Sequence, residues 1–166
     1  MASDAMPRQD PDFDPARDLR VERLIRAPMA LVWRCIVEAE LMKRWWVPAP
    51  VVISDMVIEP VPGGRFFTRM VMPDGVQVGM EMMILRADMG QRLVFTDLMT
   101  AGFRPVAEPM FGFVGILALA EAEGGTAYTA TARHARAADA TRHGEMGFHD
   151  GWGTVADQLA ALAPTI

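Results

Sequence analysis

Few side chains in this sequence combine a reactive type with a useful spacing. Glu145 and His149 stand four apart, the separation at which two helical side chains meet. Facing inward, such a pair would move protons near neutral pH, where imidazole titrates. Facing outward it is a surface pair. The outward reading is favoured, because Phe148 and Trp152 fix the buried face and His149 sits about 100° round the helix from Phe148. Glu81 lies among Val78, Met80 and Met82. Regular strand alternation turns it to solvent with Gln77; on the concave side it would be a buried carboxylate and a candidate acid or base. Arg69 and Arg104 are the cations that could meet an anionic ligand, although exposed arginines are commonplace. Cys35 is the only cysteine, which excludes an internal disulfide and a cysteine metal cluster. It falls in an apolar helical pattern, where a small core residue is the commoner role than a nucleophile. His134 and His143 are isolated in sequence, and no metal-ligand spacing such as His-Glu-x-x-His occurs, so no metal site is expected. There is no serine-centred elbow and no phosphate-binding glycine loop; the glycine pairs sit at hairpin turns, where positive φ explains them. No catalytic residue and no cofactor are assigned. Whether the chain is an enzyme stays open, with a binding protein favoured.

The other chemistry available is apolar. Phe148, Trp152, Val155, Leu159 and Leu162 recur at four- and three-residue steps, so they share one helical face. The helix is expected over 141–163, capped by Asp139 or Thr141 and stopped by Pro164. Its first half contains Gly144, Gly147, Gly151 and Gly153, each costing ~1 kcal/mol relative to Ala. Two readings are open: a merely poor helix lying on a sheet, or a helix thinned to leave space beside it. The second points to a cavity. Opposite it would stand a strand face rich in methionine and aromatic residues, suited to an adaptable apolar pocket. The candidate wall comprises Trp45, Phe66, Met70, Met80, Met82, Phe95, Met146 and Trp152. Trp45 and Trp46 are adjacent and cannot share a helical face. One plugs the core, and the other is free to reach the cavity mouth.

These residues need elements to carry them. Residues 1–18 are rich in Asp, Pro and Ala and read as a disordered or loosely packed lead-in. Residues 19–26 alternate as a first strand. Pro28 suits the first turn of a helix whose apolar stripe is Leu31, Val32, Cys35 and Ile36. A second short helix, about 40–46, ends at Pro48 and Pro50. Strands follow at 51–59, 65–72, 76–86 and 92–97, with turns at Pro62-Gly63-Gly64 and Pro73-Asp74-Gly75. In 65–72, Phe66, Thr68 and Met70 lie opposite Arg65, Phe67 and Arg69. An irregular stretch, 98–110, precedes a last hairpin of 111–121 and 126–135 joined at Gly124-Gly125. The strands must bury their apolar face, and the long closing helix is the partner able to cover it. The expected fold is α+β: a curved antiparallel sheet of about six to seven strands wrapped round a long C-terminal helix, with two short helices after the first strand.

Composition bounds the rest. At 166 residues the chain suits one domain, here 19–166, and half of its residues are apolar. No apolar run approaches a membrane span, and no secretory leader opens the sequence, so a cytoplasmic home is expected. A net charge of −5 without a basic cluster argues against nucleic acid. Fifteen of sixteen basic residues are Arg and Asn is absent, which reads as coding bias in a GC-rich bacterial genome. No residue pattern distinguishes a monomer from a homodimer.

The order of elements and several local motifs resemble the activator of heat-shock protein 90 ATPase homologue-like domain family, within the START-like, or SRPBCC, superfamily of helix-grip domains. The matching pieces are Ala27-Pro28 with Val32-Trp33, then Trp45-Trp46, Gly63-Gly64-Arg65-Phe66, and Pro73-Asp74-Gly75 followed by Gly79 and Glu81. Further on come 92–96, Gly125-Thr126, and Gly151-Trp152 followed by Leu159. The resemblance implies the helix-grip fold. It also implies a cavity between sheet and long helix, in which superfamily relatives bind lipids, sterols, plant hormones or polyketides, and some act as polyketide cyclases or aromatases. A small apolar molecule is the partner so implied; a cyclase or dehydratase activity and a chaperone-interacting accessory role are the alternatives. The eukaryotic co-chaperone that gives the family its name has an extra N-terminal domain, for which no counterpart is expected before the first strand.

Overall fold

The computed structural model describes residues 12–166. The chain runs β1 (Asp18–Ile25), α1 (Met29–Val37), α2 (Ala39–Met42), β2 (Val52–Ile58), β3 (Arg65–Val71), β4 (Gln77–Asp88), β5 (Arg92–Thr96), β6 (Met99–Thr100), β7 (Arg104–Pro105), β8 (Phe113–Ala122), β9 (Gly125–His134), α3 (Ala137–Glu145) and α4 (Phe148–Leu162). Seven strands form one sheet in the order β1-β9-β8-β5-β4-β3-β2, with every neighbouring pair antiparallel. The expected α+β architecture is therefore present, short helices and closing helix included. The lead-in expected over 1–18 falls, for its first eleven residues, outside the described part. From residue 14 the chain is tied down, with the Asp14 amide donating to Asp18 at 2.9 Å and Arg17 pairing with Asp14 at 2.7 Å.

Period-2 patterning decides what the sheet buries. Along β3, Phe66 and Thr68 are buried on the inner face. Phe67 points outward yet is also buried, because the Arg65 and Arg69 guanidinium groups lie 4.5 and 5.6 Å from its ring centroid. Gly79 of β4 leaves room for that ring. Register shifts at Ile53/Asp55 and Ile84/Arg86 mark bulges, the devices by which a sheet bends. The concave face closes over a core that includes Ile25, Val32, Ile36, Trp45, Phe66, Phe95, Leu117, Phe148, Val155 and Leu159.

Two expected elements differ. The irregular stretch after β5 contains the small β6–β7 hairpin. The closing helix is two helices. α3 ends at Glu145, Gly147 sits at φ +97°, and α4 starts at Phe148. The Gly147 amide bonds the Gly144 carbonyl at 3.1 Å and the Met146 amide bonds Arg142 at 3.0 Å, so the glycine ends α3 in the left-handed conformation that glycine adopts without a Cβ penalty. Neither Asp139 nor Thr141 caps α3; Arg136 occupies its N-cap.

Candidate functional site

The concave face and α4 do not meet everywhere. Between them lies a hollow of about 310 Å³, lined by Met70, Met80, Met82, Phe95, Phe113, Trp152 and Val155, with Trp46 and Pro48 at one side and Met110, Phe111 and His143 at another. Val47, Gly151 and Tyr128 complete the wall. A second depression, about 520 Å³, lies on the outer sheet face among Arg20, Arg92, Thr129 and Thr131. It starts beside Asp12, at the edge of the described residues, and its lining is more polar. The inner hollow is the better candidate site, being apolar and enclosed by elements from both layers.

Each wall is held by a polar device outside the apolar surface. Gln158 of α4 donates from Nε2 to the carbonyls of Trp45 and Val47, at 2.9 and 2.8 Å, and accepts from the Ala49 amide at 2.9 Å. That clamp fixes the segment bearing Trp46. Asp97 accepts the amides of Phe111, Gly112 and Phe113 at 2.8, 3.1 and 2.9 Å, and Thr96 donates to the Phe113 carbonyl at 2.8 Å. This buckle sets Phe111 and Phe113. The Phe95 ring lies over Gly115, its cross-strand partner on β8, where any Cβ would collide with it. Phe66, Trp46, Phe95 and Phe113 then follow one another at centroid separations of 5.3–5.9 Å, in the tilted and edge-on geometries aromatic pairs prefer.

Five of the eight wall residues expected from sequence, Met70, Met80, Met82, Phe95 and Trp152, line this hollow. Three do not. Trp45 is fully buried in the core, and its Nε1 donates to the Cys35 carbonyl at 2.8 Å, satisfying an orphan carbonyl of the last turn of α1. Phe66 stands one layer back, behind Trp46 and Phe95. Met146 is 62% exposed, because the break at Gly147 turns it off the inner face. Trp46 takes the wall position that the adjacent pair left open.

The four glycines also separate. A Cβ on Gly151 would meet nothing within 4 Å, so this residue adds space to the hollow. Gly153 faces the Arg23 guanidinium, 3.2 Å from where its Cβ would lie. Gly147 serves the helix break. Gly144 borders open space away from the hollow.

Of the titratable candidates, Glu81 lies on the outer face, opposite Phe67 and paired with Arg65. His149 and Glu145 are both exposed and, among the described residues, joined by no hydrogen bond; Gly147 interrupts the helix between them. Burial pushes the Cys35 thiol up to about 11, so it stays protonated. Arg69 covers Phe67, and Arg104 is exposed on β7.

His134 and His143, isolated in sequence, are bonded to each other: His134 Nε2 and His143 Nδ1 are 2.9 Å apart. His134 Nδ1 lies 3.0 Å from the Arg17 carbonyl, which also accepts the His134 amide at 3.1 Å. The His143 ring stacks on Phe111, with centroids 4.3 Å apart and planes 17° from parallel. Burial is the main cause of lowering the His143 pKa to about 4, with neighbouring His134 and Arg142 acting the same way and Asp97 opposing. Among the described residues, no group of three His, Cys, Asp or Glu side chains is placed to hold a metal ion, and no helix is long and apolar enough to cross a membrane.

No curated protein matches the chain. Among solved structures, a protein of Nitrosomonas europaea is 36% identical, with a TM-score of 0.87 over 92% of this chain and 97% of that one. A protein of Rhodobacter sphaeroides shares the fold at 18% identity, with a TM-score of 0.79 over 93% and 97% of the two chains. A Silicibacter pomeroyi protein named AHSA1 does so at 20% identity, with a TM-score of 0.65 over 87% and 95%. The family profile described as Activator of Hsp90 ATPase homolog 1-like protein matches residues 26–163. With that profile spanning every element from α1 to α4 and the same fold recurring in these relatives, the chain belongs to the activator of Hsp90 ATPase homolog 1-like family.

Proposed function

We propose that the chain binds one small, mainly apolar molecule in the hollow between the sheet and α4. Family membership fits either a ligand-binding or an accessory domain. The observation that favours the first is the wall itself: four methionines and several aromatic rings face about 310 Å³ of space that Gly151 helps keep open. Natural cores close such space, since an unfilled cavity costs stability. A thermal-shift series with fatty acids, fused aromatics and polyketide-like acids tests the reading. One class, present at a hundred times its dissociation constant, contributes about 2.7 kcal/mol and raises Tm by roughly 5–10 °C for a chain of this size. The gain disappears in Gly151→Leu, which fills the space. No stabilisation by any class would overturn the proposal.

A second reading, a cyclase or dehydratase reaction, draws on His143 and Tyr128, the titratable side chains lining the hollow. Incubation with a β-hydroxy carbonyl probe, followed by mass spectrometry, tests it. Failure to lose water from the probe would count against catalysis and leave binding.

A further inference from the structure

The hollow carries two polar groups that hydrogen-bond nothing among the described residues, His143 Nε2 and the Tyr128 hydroxyl. Tyr128 is 1% exposed. The two residues are buried, yet neither of these atoms is itself sealed off, so each is open to a partner on an otherwise apolar wall.

The hydrogen-bond chain fixes what His143 offers. A carbonyl oxygen only accepts, so His134 Nδ1 donates to Arg17. With both rings neutral, each has one N–H, so His134 Nε2 is an acceptor. His143 Nδ1, 2.9 Å away, must therefore carry the proton. That leaves His143 Nε2 with a free lone pair. Phe111 covers one face of the ring, and Phe148 and Trp152 meet it edge-on at 5.3 and 6.3 Å. The tautomer and the ring plane are both set before any ligand arrives. The charged and titratable groups around the ring are His134 on β9, Arg142 on α3 and Asp97 after β5; with burial, their balance keeps the imidazole neutral at pH 7. Among the described residues, no Lys or Arg lines the hollow.

From this geometry we propose that the molecule held in the hollow is a neutral alcohol or phenol whose hydroxyl donates to His143 Nε2. The inference rests on the apolar-ligand reading above and narrows it. Ethers and ketones have no hydrogen to give and leave the lone pair unmet. Carboxylates bring a charge that no cation in the wall offsets. Tyr128 offers a hydroxyl that can donate or accept at a second point.

The test uses 1-naphthol and its near-isostere 1-methylnaphthalene, titrated calorimetrically at pH 7.5 into the wild-type chain and into His143→Phe. The ratio of naphthol to methylnaphthalene affinity is expected to fall about tenfold in the variant, the worth of one good hydrogen bond. If both probes bind and the ratio is unchanged, the hydroxyl assignment is wrong and the apolar cavity stands. If neither binds the wild-type chain, both readings fall. A second measurement needs no variant: nitrogen-15 spectra of the wild-type histidines. They should show His143 protonated at Nδ1, and its Nε2 resonance should move with naphthol and not with methylnaphthalene. An Nε2–H tautomer, or an unmoved resonance in the presence of bound naphthol, would overturn the proposal.

Discussion

Replacing glycines along the closing helices should give effects of opposite sign, although the residues look equivalent in sequence. Gly151 is the fourth residue of the fifteen-residue α4, and a Cβ there meets nothing within 4 Å. Gly151→Ala therefore gains the helix-propensity difference of ~1 kcal/mol without a steric cost. For a chain of this size that raises Tm by roughly 2–4 °C. At Gly153 the new methyl would press on Arg23, whose guanidinium pairs with Asp157 at 2.6 Å. The arginine is partly exposed and can shift, but the pair weakens, so Gly153→Ala gains less than Gly151→Ala. At Gly147 the constraint is the backbone. With φ at +97°, Ala is strained, and the left-handed penalty of roughly 1–2 kcal/mol makes Gly147→Ala destabilising. Urea unfolding at 25 °C, followed by far-ultraviolet circular dichroism, resolves differences of this size. The expected order of stability is Gly151→Ala, then Gly153→Ala, then Gly147→Ala below wild type. A loss of stability in Gly151→Ala would refute the reasoning, because it would mean that the face of α4 at Gly151 is already in contact.

His143 predicts a pH dependence. Its pKa is about 4 when folded against the usual 6.5, so between those values the unfolded chain binds more protons and stability falls as pH falls. At about 1.4 kcal/mol per pH unit the loss over that window comes to about 3 kcal/mol. Urea unfolding of wild type and His143→Phe at pH 7 and pH 4.5 should show a smaller fall in the variant; equal falls would sink the assignment. The adjacent tryptophans should differ in kind. Trp45→Ala removes a fully buried ring and the hydrogen bond to Cys35, costing about 3–5 kcal/mol. Trp46→Ala enlarges the hollow and should change probe affinity at a smaller cost in stability; equal stability losses would refute the division.

The sheet was legible because its strands keep their period. Phe66 and Thr68 turn inward on β3 as their alternation requires, and the turns at Gly63, Gly75 and Gly124 all adopt positive φ. The stripe Phe148, Val155, Leu159 and Leu162 is likewise the buried face of α4. What stayed hidden was decided by distant parts of the chain. Glycine in a helical pattern reads the same whether it sits inside a helix or ends one, so the break at Gly147 was invisible, and with it the outward turn of Met146. The choice between Trp45 and Trp46 depends on Gln158, more than a hundred residues on, clamping the intervening backbone. His134 and His143 are nine residues apart, and they meet only because α3 folds back on the strand that carries His134.

The same features explain why the hollow survives beside a dense core. Apolar walls would collapse inward if nothing outside held them. Here Gln158 ties down the Trp46 segment, Asp97 ties down Phe111 and Phe113, and Arg17 anchors the histidine pair. Gln158 and Asp97 spend their hydrogen bonds on backbone and the Arg17 carbonyl accepts from His134, so the frame is polar while the chamber is apolar. His143 Nε2 and the Tyr128 hydroxyl break that rule, and both line the chamber. Had they been structural, partners could have come from backbone, as they did for the others. Open to the chamber, they can pair with water while it is empty and with the polar end of a bound molecule when it is filled. A molecule of the proposed class would have to match the hydrogen bonds it displaces there, so its polar end and this pair of atoms would have to meet.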